Sequence, residues 1–116
     1  MKKIYHLGTC STNRRILAEL APGEDVALQD IKIDPVTPDQ LAQMRELAGS
    51  YAAIFSKVAR KYRELGLNSM QLTETDYRNY ILQDYTFLKR PVIISGNRIF
   101  TGNAAVTVKQ AAEALK

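Results

Sequence analysis

The opening thirty-odd residues constrain the fold more than any other stretch. KKIYHL reads as a short strand, with Ile4 and His6 on one side and Tyr5 and Leu7 on the other. Gly8-Thr9 breaks it, and a helix is expected from about Cys10 to Ala21, with Ile16, Leu17, Leu20 and Ala21 as its inward stripe. Pro22-Gly23 stops that helix, and Val26 to Ile33 reads as a second strand ended by Asp34-Pro35. A strand, a crossover helix and a strand in this order make a parallel pair with a right-handed connection, which leaves few topologies open.

The rest of the chain completes the plan. In TPDQ, Thr37 is an N-cap, Pro38 suits the first helical position and Gln40 closes a capping box. The helix that follows carries Leu41, Met44 and Leu47 and ends at Gly49. Ser50 caps a further helical stretch that continues through KVARKYRELG to Gly66, and Thr73 caps another with Tyr77, Tyr80 and Ile81 on one face. Pro91 then precedes VIIS, a compact apolar strand, and Gly96-Asn97 is a two-residue hairpin signal leading to a partner strand from Arg98 to Thr101. Asn103 is expected to cap a last helix whose Val108, Ala112 and Leu115 face inward. The expectation is an α/β chain with a thioredoxin-like plan. A mixed four-stranded sheet is flanked by helices, with a helical insertion at about 37–88 between a βαβ half and a ββα half, all in one domain over 1–116. Such a plan does not by itself fix a function.

Bulk properties narrow the classes. A chain of 116 residues buries roughly two-thirds of its unfolded surface, enough for one core. No apolar run approaches the ~20 residues of a membrane span, and MKKIYHLGTC lacks the long apolar segment of a signal peptide, so no membrane partner is expected and the cytoplasm is the expected location. The net charge of +4 favours anionic partners, from a small oxyanion upward. The densest basic cluster, Lys57, Arg60, Lys61 and Arg63, reads as a solvated helix face. Tyr51, Phe55, Tyr62, Tyr77, Tyr80, Tyr85 and Phe87 read as packing residues rather than a stacking platform, so direct nucleic-acid binding is not expected.

Chemistry concentrates at the single cysteine, Cys10, in HLGTCSTNRR. Three assignments are open to it: a buried apolar filler, a lone nucleophile, or half of a redox pair. Its place before the first helical turn favours an anion, because the unpaired N–H groups there carry partial positive charge; a thiolate is stabilised relative to a thiol. Arg14, four residues on, is on the same helix face and leans back toward the sulfur. His6, on the preceding strand, is a candidate hydrogen-bond partner or cation. Asn13 stands where a CxxC motif places its second cysteine, so any thiol chemistry takes its second thiol from outside. One histidine and one cysteine make no zinc site, and no metal centre is expected.

These residues carry a resemblance. IYHLGTCSTNRR, KVARKYRELGL, FLKRPVII and RIFTG, in this order and spacing, resemble the arsenate reductases of the glutathione/glutaredoxin-coupled type and their Spx-like relatives, over essentially the whole chain. The KRPVII element and the cysteine loop are the more specific parts. The resemblance implies that Cys10 attacks an oxyanion or thiol substrate as a thiolate, tuned by His6, Thr12 and Arg14. Arg14 and Arg90 bind the anion, where a planar guanidinium pairs two oxygens at once. It implies a cis Arg90-Pro91 peptide facing the cysteine loop, glutathione as co-substrate with no tightly bound cofactor, and glutaredoxin as partner. Two departures stand out. Ser56 and Thr101 align with arginines of the family reductases, leaving Lys57, Arg60 or Arg98 as candidate compensating cations. The alternatives are a Spx-like regulator that binds RNA polymerase, and a fold relative in which Cys10 has no redox role.

Overall fold

The computed structural model describes residues 1–116. The elements in chain order are β1 (Lys2–His6), α1 (Ser11–Leu20), β2 (Val26–Asp30), α2 (Pro38–Ala48), α3 (Arg60–Glu64), α4 (Glu74–Gln83), β3 (Val92–Ser95), β4 (Arg98–Thr101) and α5 (Ala105–Ala114). They fall into two compact units, Met1–Pro35 with Arg90–Lys116, and Val36–Lys89.

The first unit holds the sheet, in the order β2-β1-β3-β4. β1 runs parallel to β2 and antiparallel to β3, and β4 pairs antiparallel with β3. This is the mixed four-stranded sheet of the thioredoxin-like plan. Ile4, Ile93 and Phe100 are aligned across three strands by the register. They pack with Ile16 and Leu20 of α1 and with Val108, Ala111 and Leu115 of α5. Each of the larger side chains contributes about 1.5–3 kcal/mol by leaving water. The C-terminal carbonyls of α5 are satisfied from the sheet: Ser95 Oγ donates to Ala114 O at 2.8 Å and Lys2 Nζ to Leu115 O at 3.0 Å. Tyr5 is fully buried beside this framework, and burial raises its phenol above the usual value.

Three expectations for this unit need correction. β2 stops at Asp30 rather than Ile33, because the Asp30 carbonyl accepts from Ile33 and Asp34 and its carboxylate from the Lys32 N–H. A turn has replaced the ladder, and Ile33 is exposed. Ala21 is the left-handed C-cap of α1 (φ 43°) and is exposed, not part of the inward stripe. α5 starts from Ala104 with no side-chain cap, so Asn103 does not perform that task.

The second unit is made of helices and turns. Thr37 and Gln40 form the expected capping box of α2, and Thr73 and Asp76 form one at α4. Ser50 Oγ accepts from the Ala53 N–H and opens a 3₁₀ turn, Ala52–Ile54. Helix then gives way to a short antiparallel contact. Phe55 bridges to Leu88, Ser56 N–H donates to Phe87 O at 2.7 Å, and Lys89 N–H donates to Ile54 O at 2.9 Å. The backbone of Ile54 to Ser56 is committed to that pairing, so no continuous helix runs to Gly66. Lys57 and Val58 lie in a turn and α3 is only five residues long. The basic cluster is therefore not one helical face, and Lys61 is paired with Asp84 at 2.5 Å. The centre of this unit is aromatic. Phe55 stacks on Phe87 with centroids 5.2 Å apart and meets Tyr77 at 4.8 Å and Tyr62 at 6.0 Å. No helix of the chain is long and apolar enough to cross a membrane.

Candidate active site

The site begins where β1 ends. The Cys10 N–H donates to Leu7 O at 3.0 Å, closing a tight turn through Gly8 and Thr9. Gly8 leaves room for a neighbouring carboxylate: a Cβ on it would lie 2.3 Å from Oδ2 of Asp30, at the end of the neighbouring strand, and would displace that side chain. Cys10 is the N-cap of α1, with extended backbone angles (φ −89°, ψ 118°), and its carbonyl accepts the first helical hydrogen bond from Arg14 at 3.0 Å. No side chain caps this helix start and no acidic residue lies in its first turn, so the helix itself supplies no negative charge to offset its partial positive charge beside the thiol.

Cys10 is half-buried, and its sulfur accepts a hydrogen bond from Asn13 Nδ2 at 3.6 Å. Asn13 is buried, only 2% exposed, and its Oδ1 accepts the Leu7 N–H at 3.0 Å. Arg14 is exposed and bends back over the turn, donating from Nη1 to Gly8 O at 3.0 Å. Thr12 is half-buried in the first turn of α1. His6, at the end of β1, gives its carbonyl to the Ile31 N–H at 2.9 Å, while its Nδ1 is buried without a hydrogen-bond partner in the protein.

The sheet register decides which other residues share this end of the unit. Tyr5 pairs with Val92 and Val92 with Thr101, so the C-terminal end of β1 meets the start of β3 and the end of β4. Arg90-Pro91, a cis peptide, immediately precedes β3 at that end. Pro91 O accepts the Gly102 N–H at 3.0 Å, joining the proline to the residue after Thr101. Arg98 pairs with Ser95 at the opposite, hairpin end, where its guanidinium lies 4.9 Å from the Phe100 ring centroid. Three residues of strand, roughly 10 Å, separate it from Thr101, so Arg98 does not stand in for an arginine there. In the other unit, Ser56 is buried and Lys57 is exposed in its turn, with Arg60 exposed at the start of α3. No group of three or more His, Cys, Asp or Glu side chains is disposed to hold a metal ion.

Asn13 is the site residue that sequence reading passed over, since it registered only as a missing cysteine. A signal was present. Asn13 is the third residue of α1, the position from which a capping-box side chain reaches back to the cap.

Known proteins place this geometry. A model of the ArsC family matches residues 5–111. The arsenate reductase of Escherichia coli K12 is 27% identical over 94 residues, covering 79% of this chain and 67% of the relative. That of Acidiphilium multivorum is 26% identical over the same length and shares. The structure of an arsenate reductase from Vibrio cholerae matches with a TM-score of 0.73 at 22% identity, covering 98% of this chain and 97% of that one; the likeness is one of fold.

Proposed function

The chain belongs to the ArsC family, and on that premise we propose that it is a thiol-dependent oxidoreductase in which Cys10 is the nucleophile. The observation that carries this reading is the placement of Cys10. It is a half-buried thiol at an uncapped helix N-terminus, with its sulfur accepting a hydrogen bond rather than sealed in apolar packing. The uncapped helix start and the amide donor both favour the thiolate.

In the proposed cycle the thiolate attacks the central atom of an oxyanion, for which arsenate is the probe. A bond to sulfur forms and one oxygen leaves as water after protonation. A second thiol, glutathione, then contributes the other sulfur. The two sulfurs end as a mixed disulfide, and the two electrons they give up reduce the central atom. Glutaredoxin reduces that disulfide and restores Cys10. The chain holds one cysteine, so both later steps require outside thiols. Arg14, one helical turn beyond Cys10, and Arg90, at the same end of the sheet, bind the anion in this proposal. His6 and Thr12 tune the thiolate. Asn13 in place of a second cysteine favours this cycle over redox sensing through an internal disulfide, which is the property a regulator of RNA polymerase would use.

Arsenate reduction with glutathione and glutaredoxin, compared between wild type and Cys10→Ser, tests the proposal. The variant is expected to lose at least about a thousandfold in rate, as removal of a nucleophile does. Equal rates would eliminate Cys10 as nucleophile. Binding of RNA polymerase subunits by a wild type without reductase activity would move the function to the regulator class.

A further inference from the structure

We propose that Asn13 is a positioning residue for Cys10, its side-chain amide locked by the Leu7 N–H so that its NH2 group is held as a donor to the reactive sulfur. This rests on the reading of Cys10 as a thiolate nucleophile. Asn13 is 2% exposed, and a buried amide needs partners at both ends. It has them: Oδ1 takes the Leu7 N–H at 3.0 Å and Nδ2 lies 3.6 Å from Cys10 Sγ. A backbone N–H only donates, so the atom that meets it must be the carbonyl oxygen. The amide therefore has no freedom to flip, and its NH2 group must face the sulfur. A thiolate is a stronger acceptor than a thiol, so a donor fixed in this way stabilises the ionised form.

The residue type follows from these two demands. Serine offers a single oxygen where the turn and the sulfur make two separate demands. Aspartate has the right shape and keeps the Leu7 hydrogen bond, but it turns an oxygen toward the sulfur. Its carboxylate is held ionised by that hydrogen bond and by its place in the first helical turn, so it repels the thiolate. Cysteine closes a disulfide with Cys10. Asparagine alone among these both anchors the turn and donates to the sulfur, while leaving resolution to an external thiol. The other charged and titratable groups at this end of the unit are His6 and Asp30 on the neighbouring strands β1 and β2, Arg14 on α1, and Arg90 before β3. All are unchanged by substitution at Asn13, so a shift between wild type and Asn13→Asp arises at position 13, from loss of the donor together with the new charge.

The test is the rate of iodoacetamide alkylation against pH for the wild-type chain and for Asn13→Asp. The wild-type midpoint is expected below the free-cysteine value of about 8.5. In Asn13→Asp it is expected to move up by about one pH unit or more. A merely structural Asn13 would leave its side-chain amide protons unaffected by ionisation of the thiol. Coincident midpoints with a depressed wild-type value would overturn the role of Asn13 and leave the thiolate reading standing. A wild-type midpoint at or above the free value would remove both. A measurement on the wild type alone decides the matter if the variant fails to fold. The side-chain amide protons of Asn13, followed by NMR, should titrate with the alkylation midpoint. A flat trace through that midpoint would overturn the proposal.

Discussion

The two compact units of this chain are stabilised by different means. In the sheet unit, aliphatic side chains from three strands and two helices form one continuous cluster, and the strands supply the hydrogen bonds. In the helical unit, one aromatic ring is the hub: Phe55 meets Phe87, Tyr77 and Tyr62. Its short elements are joined by side chains reaching backbone, above all Glu74, whose two carboxylate oxygens accept the N–H groups of Tyr51 and Ala52 at 2.8 and 3.0 Å. A periodic core distributes its energy over many equivalent contacts. A hub concentrates it in a few residues that periodicity does not single out.

The sharpest way to break this contrast is at the hub. Phe55→Ala should cost about 3–5 kcal/mol in denaturant unfolding, near the top of the range for core truncation, whereas Ile93→Val should cost about 0.5–1.5 kcal/mol. Similar losses for Phe55→Leu and Ile93→Val would mean that the aromatic contacts add nothing beyond area. Next in size is Glu74→Gln, which turns one acceptor into a donor facing a backbone N–H. A loss of about 1–2 kcal/mol is expected in the same measurement.

The smallest effects lie at opposite ends of the pH scale. Burial opposes ionisation of Asp84, but hydrogen bonds from Lys61 and from the Thr86 hydroxyl and N–H outweigh it and hold the carboxyl below its usual 3.8. The folded state thus binds the proton less readily than the unfolded one. The stability this gives is present above that usual value and is lost as pH falls through the lower folded value. Tyr5 is the converse. Its phenol is raised by burial, so its contribution is complete below the unfolded value of about 10 and is lost as pH rises beyond it. Asp84→Asn should flatten the acid limb of a thermal-midpoint profile and Tyr5→Phe the alkaline limb, each by no more than about 1 kcal/mol for the half-screened pair at Asp84 and the single phenol at Tyr5.

The same contrast explains what the sequence made legible. In the sheet unit, Ile4, Ile16, Leu20 and Val108 announce themselves by spacing, and Gly96-Asn97 places the hairpin to the residue. Caps were plain in the helical unit, because Thr37-Gln40 and Thr73 act on neighbours three residues away. What escaped were choices made by distant or competing partners. The Phe55–Leu88 bridge pulls Lys57 out of its helix, across a sequence distance no local pattern reports. Asp30 ends β2 because its own carboxylate and carbonyl offer Lys32, Ile33 and Asp34 a turn. At the site, Cys10 was legible from a strand, a glycine and a helix start. Asn13 was not, because its importance lies in the Leu7 N–H on one side and a sulfur on the other.

The central claim is that folding activates Cys10 rather than hiding it. The direct measurement is the rate of thiol–disulfide exchange with glutathione disulfide at pH 7, for the folded chain and for the same chain unfolded in urea, with the product located by mass spectrometry. The account predicts faster exchange in the folded state and a single glutathione on Cys10. A folded rate equal to or below the unfolded one would contradict it, since a half-buried thiol without a stabilised thiolate is only shielded by its fold.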